Sequence, residues 1–339
     1  MHRPAHPGAD AALGKGGIVI RRERVEGNGG DVGLVQLLDR DAALLERFRR
    51  EVRTARQVSH PNVCRVHDLF EHREIAPDGA VRVVQLLSME LLAGETLADR
   101  IGRFGAIGRE EAATIAQQLA AGLDAAHRAG VLHRDFKSGN VVLTEDSRGP
   151  RAVITDFGLA RAAFRGTDRG TLTAVGTVLG SPAYMAPEQV RGEATTAASD
   201  IYSFGVVLYE MVSGQLPFQG DSALQTALMR LRQPPKPPRE LVPGLDSAWE
   251  SAILRCLELE VEDRPAKAAD AVAELVGEAP PPRRLKLGGW RRRRWIRVAP
   301  WFAVAGLAAA VALLGALWSV RRGQAPGSAD SRRLSVAVV

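Results

Sequence analysis

Three short polar stretches carry the residue types that could do chemistry. The first, His133-Arg134-Asp135-Phe136-Lys137-Ser138-Gly139-Asn140, reads H-R-D-x-K-x-x-N and follows the apolar pair Val131-Leu132, which suits a buried strand end. The second, Asp156-Phe157-Gly158, follows the apolar pair Val153-Ile154, and the third is Ala186-Pro187-Glu188. Together they offer carboxylates that accept or orient a proton, oxygen donors that suit a hard cation, and an ammonium that neutralises an anion.

In this order and at these separations, the three stretches resemble the catalytic core of the bacterial eukaryotic-type (Hanks-type) serine/threonine protein kinases, in their membrane-anchored, receptor-like form. The resemblance implies an α+β, bilobal protein-kinase fold over residues 13–277, with a small β-rich N-lobe (13–92) and a large α-helical C-lobe (93–277). It implies transfer of the γ-phosphoryl of ATP, with Mg²⁺, to serine and threonine hydroxyls of protein substrates. Asp135 would accept or orient the hydroxyl proton, and Lys137 would neutralise charge on the moving phosphoryl. Asn140 and Asp156 would hold Mg²⁺, which prefers oxygen ligands. A lysine two residues past the aspartate resembles the serine/threonine branch. Small-molecule phosphotransferases share the Asp and Asn pattern but lack the Ala-Pro-Glu segment. Between Asp156 and Glu188 lies an activation segment, in which Thr171 and Thr173 are the expected autophosphorylation sites. A phosphate there would give Arg134 a bidentate partner. Ser181, in the run Gly180-Ser181-Pro182-Ala183-Tyr184-Met185 that resembles a substrate-docking loop, would contact the catalytic aspartate and lysine. Asp200 of Asp200-Ile201-Tyr202-Ser203-Phe204-Gly205 would accept amide protons from the catalytic loop, since a buried carboxylate must be paired. Glu188 would pair with Arg264.

The nucleotide side departs from the family pattern. The run Leu13-Gly14-Lys15-Gly16-Gly17-Ile18-Val19-Ile20 resembles the glycine-rich phosphate loop, with Gly14 and Gly16 placing backbone amides near phosphates and Ile20 beside the nucleotide. Val19 stands where a third glycine is expected, and its side chain hinders close approach. In the strand Gly33-Leu34-Val35-Gln36-Leu37-Leu38, Gln36 aligns with the ATP-binding lysine. Glutamine offers a hydrogen bond to phosphate but no charge. The chain's lysines are Lys15, Lys137, Lys236, Lys267 and Lys286, so Lys15 alone lies in the small lobe. Three explanations stand: a non-catalytic pseudokinase that acts as a scaffold, a substitute role for Lys15 as in the with-no-lysine kinases, or an N-terminal stretch that is not the natural one. Residues 21–33, rich in Arg, Glu and Gly, read poorly as strands. Glu51 matches the helix glutamate that pairs with the missing lysine. Met89 matches the gatekeeper beside adenine, Glu90 to Leu92 the hinge that reads the adenine edge, and Glu95 a position near the ribose.

Several elements must hold these residues in place. Leu45, Phe48, Val52 and Ala55 recur at spacings of three and four and predict a helix over 41–57. Ser59-His60-Pro61-Asn62 stops it. A strand is expected within 81–90. Ala113, Ile115, Ala116, Leu119 and Leu123 predict the buried side of a helix over 109–129, closed by Ala129-Gly130. An apolar helix runs from Asp200 to Val212, and further helices are expected near 222–232, 247–258 and 267–277.

Composition adds limits. Cys64 and Cys256 are the only cysteines, which excludes a disulfide framework and any cysteine metal spacing. Residues 1–12 are aperiodic, are expected to be disordered, and lack the apolar core of a signal peptide. The net charge of +6 is concentrated in one run, Arg283, Arg284, Lys286, Arg291, Arg292, Arg293, Arg294 and Arg297, which argues against a nucleic-acid partner. That run follows Pro280-Pro281-Pro282, so 278–297 reads as a proline-rich, then basic juxtamembrane linker. Residues 298–320 carry no charge. As a helix they would span about 34 Å, enough for a transmembrane segment crossing a ~30 Å hydrocarbon core. Trp301 and Trp318 sit near its ends, and the basic block on the N-terminal side predicts a single pass through the cell inner membrane with the kinase lobes in the cytoplasm. Anionic membrane lipid is the expected partner of the basic run, and a homodimer would allow phosphorylation in trans. Residues 321–339 form a short extracytoplasmic tail whose end, Leu334-Ser335-Val336-Ala337-Val338-Val339, looks like the start of a truncated strand.

Overall fold

A computed structural model describes residues 22–25, 32–37, 42–75, 81–147, 149–157 and 181–277. Packing divides the chain into a unit ending at Leu287 and a second unit, 288–339. All described residues belong to the first.

The small lobe is built on a four-stranded antiparallel sheet in the order β1-β2-β4-β3, from β1 (Arg22–Val25), β2 (Val32–Leu37), β3 (Val66–Ile75) and β4 (Val81–Glu90). The strand at 32–37 agrees with the one expected at 33–38, while the strand at 22–25 corrects the poor strand reading given to that part of 21–33. An edge strand is held by its backbone ladder, here Arg22 opposite Val35 through Val25 opposite Val32, and does not need an apolar sequence. Helix α1 (Ala42–Ala55) packs on the lobe with Phe48, Val52 and Ala55 buried, as the three-and-four spacing predicts. The lobes are joined by backbone pairing: Ile154 N donates to Asn62 O at 2.9 Å and Cys64 N to Ile154 O at 2.8 Å. Gly122 makes room for this joint, because a Cβ there would stand 2.9 Å from Asn62 O.

The large lobe is helical: α2 (Leu97–Phe104), α3 (Arg109–Arg128), α4 (Pro187–Arg191), α5 (Ala197–Ser213), α6 (Ala223–Met229), α7 (Ser247–Cys256) and α8 (Ala268–Leu275). A small sheet, β5 (Glu95–Thr96), β6 (Val141–Asp146) and β7 (Gly149–Ile154), lies against α3. The core joins Leu119 and Leu123 of α3, Tyr202, Phe204 and Leu208 of α5, and Trp249 and Ile253 of α7. Burying each such side chain is worth roughly 1.5–3 kcal/mol. At the start of α3 Ala112 is buried and Ala113 half-buried, a one-position correction to the predicted face, while Ala116 is buried as expected. Helix α5 begins before Asp200, at Ala197, because Thr196 N donates to Ser199 Oγ at the helix start. Asp124 ties α3 to α8 by accepting from Ala268 N and Ala269 N, both at 3.0 Å, where a carboxylate complements a helix N-terminus.

Among the described residues no helix is long and apolar enough to cross a membrane, and the run 298–320 lies outside them. Both cysteines are buried and neither forms a disulfide.

Candidate active site

The catalytic loop leaves α3 through Gly130, whose φ of 74° is the left-handed turn that glycine allows at a helix end. The chain then enters the interior at Val131 and His133. The His133 ring meets Phe136 edge-on at 5.3 Å and lies 4.7 Å from Phe157. Burial lowers its pKa more than Asp200, Asp135 and the Thr155 carbonyl raise it, so the imidazole is neutral. Its Nε2–H then donates to Thr155 O at 3.0 Å.

Asp200, rising from the buried helix α5, fixes the loop backbone. Its carboxylate accepts from His133 N at 2.8 Å and Arg134 N at 2.7 Å, and lies 2.8 Å from His127 Nε2. Two non-glycine residues here have left-handed backbones, Arg134 (φ 64°) and Asp156 (φ 60°). Such conformations cost on the order of 1–3 kcal/mol and persist where surrounding contacts impose them, commonly at functional sites.

Past Arg134 the loop presents Asp135. Lys137 Nζ donates to Asp135 Oδ2 at 2.8 Å and to Ser181 Oγ at 2.9 Å, and Ser181 N approaches Asp135 Oδ1 at 3.4 Å. One ammonium thus ties the loop carboxylate to the segment 181–186. Asn140 Nδ2 donates to Asp135 O at 2.9 Å, which fixes the carboxamide plane. Asp156 follows Thr155, whose N–H donates to Asn140 O at 2.9 Å, so the two loops are stitched side by side. Asn140 and Asp156 offer a carboxamide and a carboxylate oxygen. That donor set fits Mg²⁺, which is held by one or two carboxylates together with substrate phosphates.

A second set of contacts holds the site from below. The Arg264 side chain is enclosed and gives two hydrogen bonds to Glu188, at 2.8 and 2.9 Å, with its other donors on Glu258 O, Ala198 O and Leu259 O. Burial alone would raise the Glu188 carboxyl, but the Arg264 bonds and charge and the Ser199 hydroxyl together hold it below its ordinary value. Gln189 Nε2 donates to Arg134 O at 3.0 Å and links α4 to the catalytic loop.

On the nucleotide side, Gln36 lies in β2 opposite Leu86 of β4. Met89 is half-buried at the end of β4, opposite Gly33 and Val66. Glu90 receives Arg65 N at 3.2 Å and Arg151 Nη1 at 3.0 Å, while Leu92 is half-buried just beyond. Glu95 is ion-paired with Arg103 on α2. Gly14, Lys15, Gly16, Ile20, Thr171 and Thr173 lie outside the described residues. Glu51 reaches the catalytic loop, where its carboxylate accepts from Arg134 Nη1 at 2.8 Å. This contact needs two segments that the sequence separates widely, and no local signal announces it. The pair is half-buried, so a double-mutant cycle should register it. Glu51→Arg and Arg134→Glu should each lower the urea midpoint, and the double variant should recover about 1 kcal/mol through the reversed pair. Additive losses would show that the contact contributes nothing.

Sequence reading also missed Tyr184 and Arg230. Tyr184 OH donates to Glu210 Oε2 at 2.7 Å and lies 2.9 Å from Ser138 Oγ, joining the docking loop, α5 and the catalytic loop. Burial and the Glu210 charge raise the phenol's pKa far above its ordinary value, so it stays a donor.

Residues 26–275 match the family model for the protein kinase domain. The chain belongs to the protein kinase family. The kinase domain is 38% identical over 244 residues to serine/threonine-protein kinase PknA of Mycobacterium tuberculosis, covering 72% of this chain and 54% of that protein. It is 37% identical over 238 residues to serine/threonine-protein kinase pkn3 of Myxococcus xanthus, covering 69% and 42% respectively. The chain therefore spans about half the length of such curated relatives or less. Among solved structures, the PknI kinase domain of Mycobacterium tuberculosis superposes with a TM-score of 0.54 at 25% identity, over 79% of this chain and 100% of that one. The kinase domain is thus of the bacterial Hanks type, a family that uses ATP and Mg²⁺.

Proposed function

We propose that this chain is a serine/threonine protein kinase that transfers the γ-phosphoryl of Mg-ATP to protein hydroxyls. The observation that carries this reading is Lys137, bonded at once to Asp135 and to Ser181. A hydroxyl lying along segment 181–186 is thereby presented to a carboxylate that can take its proton, beside a cation that can meet the phosphoryl charge. Asn140 and Asp156 supply the oxygens for Mg²⁺, whose part when bound is to neutralise the phosphates. The same reading includes autophosphorylation at Thr171 and Thr173, in trans within a homodimer, which would give Arg134 a phosphate partner in place of Glu51. It also includes anchoring in the cell inner membrane through residues 298–320, with the basic run 283–297 on anionic lipid and the kinase lobes in the cytoplasm. The length and flanks of that apolar run support this part.

A second reading, a pseudokinase that works as a scaffold, draws on Gln36 in the lysine position and on Glu51, whose carboxylate is taken up by Arg134. One experiment separates them: purified chain, γ-labelled ATP, and a degenerate serine/threonine peptide mixture. The kinase reading expects phosphoserine and phosphothreonine, with transfer down by about a hundredfold or more in Asp156→Asn. Loss in Lys15→Met as well would identify Lys15 as the substitute lysine. Folded protein with no transfer in any form favours the pseudokinase reading.

A further inference from the structure

Arg230, which closes α6, is fully buried, and among the described residues no carboxylate lies within ion-pair distance of it. An enclosed guanidinium is strongly unfavourable unless its donors are met. Here backbone carbonyls meet those of both Nη atoms, while Nε stays buried without a hydrogen-bond partner. Nη1 donates to Met185 O, and Nη2 donates to Pro182 O at 2.7 Å and Ala183 O at 3.1 Å, with a longer 3.4 Å contact to Thr226 O on its own helix. The rings of Phe218 and Tyr202 lie 5.6 and 5.9 Å from the guanidinium carbon, close enough for their π faces to favour the cation. Burial pulls its pKa down from the ordinary arginine value, yet an arginine so placed stays charged at neutral pH.

The three loop carbonyls belong to one stretch, 182–185, which follows Ser181 and contains Tyr184. From above, the stretch is held by the catalytic loop through Lys137 to Ser181 and Ser138 to Tyr184. From below it is held by α6, through Arg230 and through a small apolar cluster of Met185, Val190 and Ala227. Apolar packing fixes how deep the stretch sits but not which way its peptide planes face. A planar fork aimed at three carbonyls does fix that. We infer that Arg230 is a positioning residue for the protein acceptor: it orients the peptide planes of 182–185, and so sets the path that the segment around the accepting hydroxyl must follow past Asp135. This rests on the reading of the chain as a protein kinase, and it adds that α6 governs acceptor binding.

The test uses the full chain with Arg230→Met, which keeps the volume and removes every donor, and Arg230→Lys, which keeps the charge. Amide hydrogen exchange over 181–186, without nucleotide or acceptor, should speed up by about tenfold in Arg230→Met, much less in Arg230→Lys, and remain unchanged in α3. With the degenerate peptide mixture, KM for peptide should rise by about tenfold in Arg230→Met, while KM for ATP and peptide-free ATP hydrolysis stay within about twofold. Unchanged exchange at 181–186, or exchange that quickens equally throughout the large lobe, overturns the inference, as does a parallel loss of ATP and peptide parameters. If Arg230→Met does not fold, Arg230→Gln replaces it, and the same exchange and KM changes support or overturn the inference. A wild-type chain without kinase activity would count against the kinase reading, and the exchange result would still decide the role of Arg230.

Discussion

Asp135→Asn should lower the rate of phosphopeptide formation by about a hundredfold to ten-thousandfold, the usual contribution of a positioned general base. The substitution keeps the size of the side chain and an oxygen that can accept from Lys137, so the link to Ser181 survives. The lost property is the ability to accept the proton of the incoming hydroxyl. Steady-state rates over a range of ATP and peptide concentrations should therefore show the loss in kcat, with both KM values little changed. Intact transfer in the asparagine variant would remove Asp135 from the chemistry.

Arg264→Met should be the most destabilising single change in the described structure. It strands the buried Glu188 carboxylate, and breaking a buried pair from one side costs about 3–5 kcal/mol. Three backbone carbonyls also lose their donor. Replacing both partners, Glu188→Leu with Arg264→Met, should recover much of the loss, because no charge then stays buried alone. The effect has a pH signature. The folded protein holds the Glu188 carboxyl below its ordinary value. Its contribution is thus fully present above the unfolded carboxylate pKa, roughly 4.3, and is lost as pH falls through the folded value. Urea midpoints of wild type and Arg264→Met should lie far apart at pH 7 and draw together on acidification. A gap that is independent of pH would mean that the arginine acts through packing alone.

Much of the helical frame could be read in advance because its signals are local. Phe48, Val52 and Ala55 repeat with helical spacing, and that spacing fixes one buried face whatever the rest of the fold does. The polar loop from His133 to Asn140 could likewise be read from residue order, since its members are sequence neighbours. Strand β1 was missed because an edge strand takes its stability from its partner's backbone and leaves little trace in its own side chains. The contacts of Glu51 with Arg134 and of Arg230 with the docking loop were hidden for a related reason. Each depends on two distant segments arriving at one place, and a lone arginine on a helix reads as a solvated charge until its surroundings are known.

The grip of Asp200 on the loop amides has a wider consequence. A side chain from the most enclosed helix terminates two main-chain donors of the catalytic loop and touches His127 as well. Freeing that loop would strand a carboxylate inside the interior, so it has no inexpensive way to fray by itself. Thermal release of the catalytic loop should therefore coincide with loss of the large lobe in one cooperative transition.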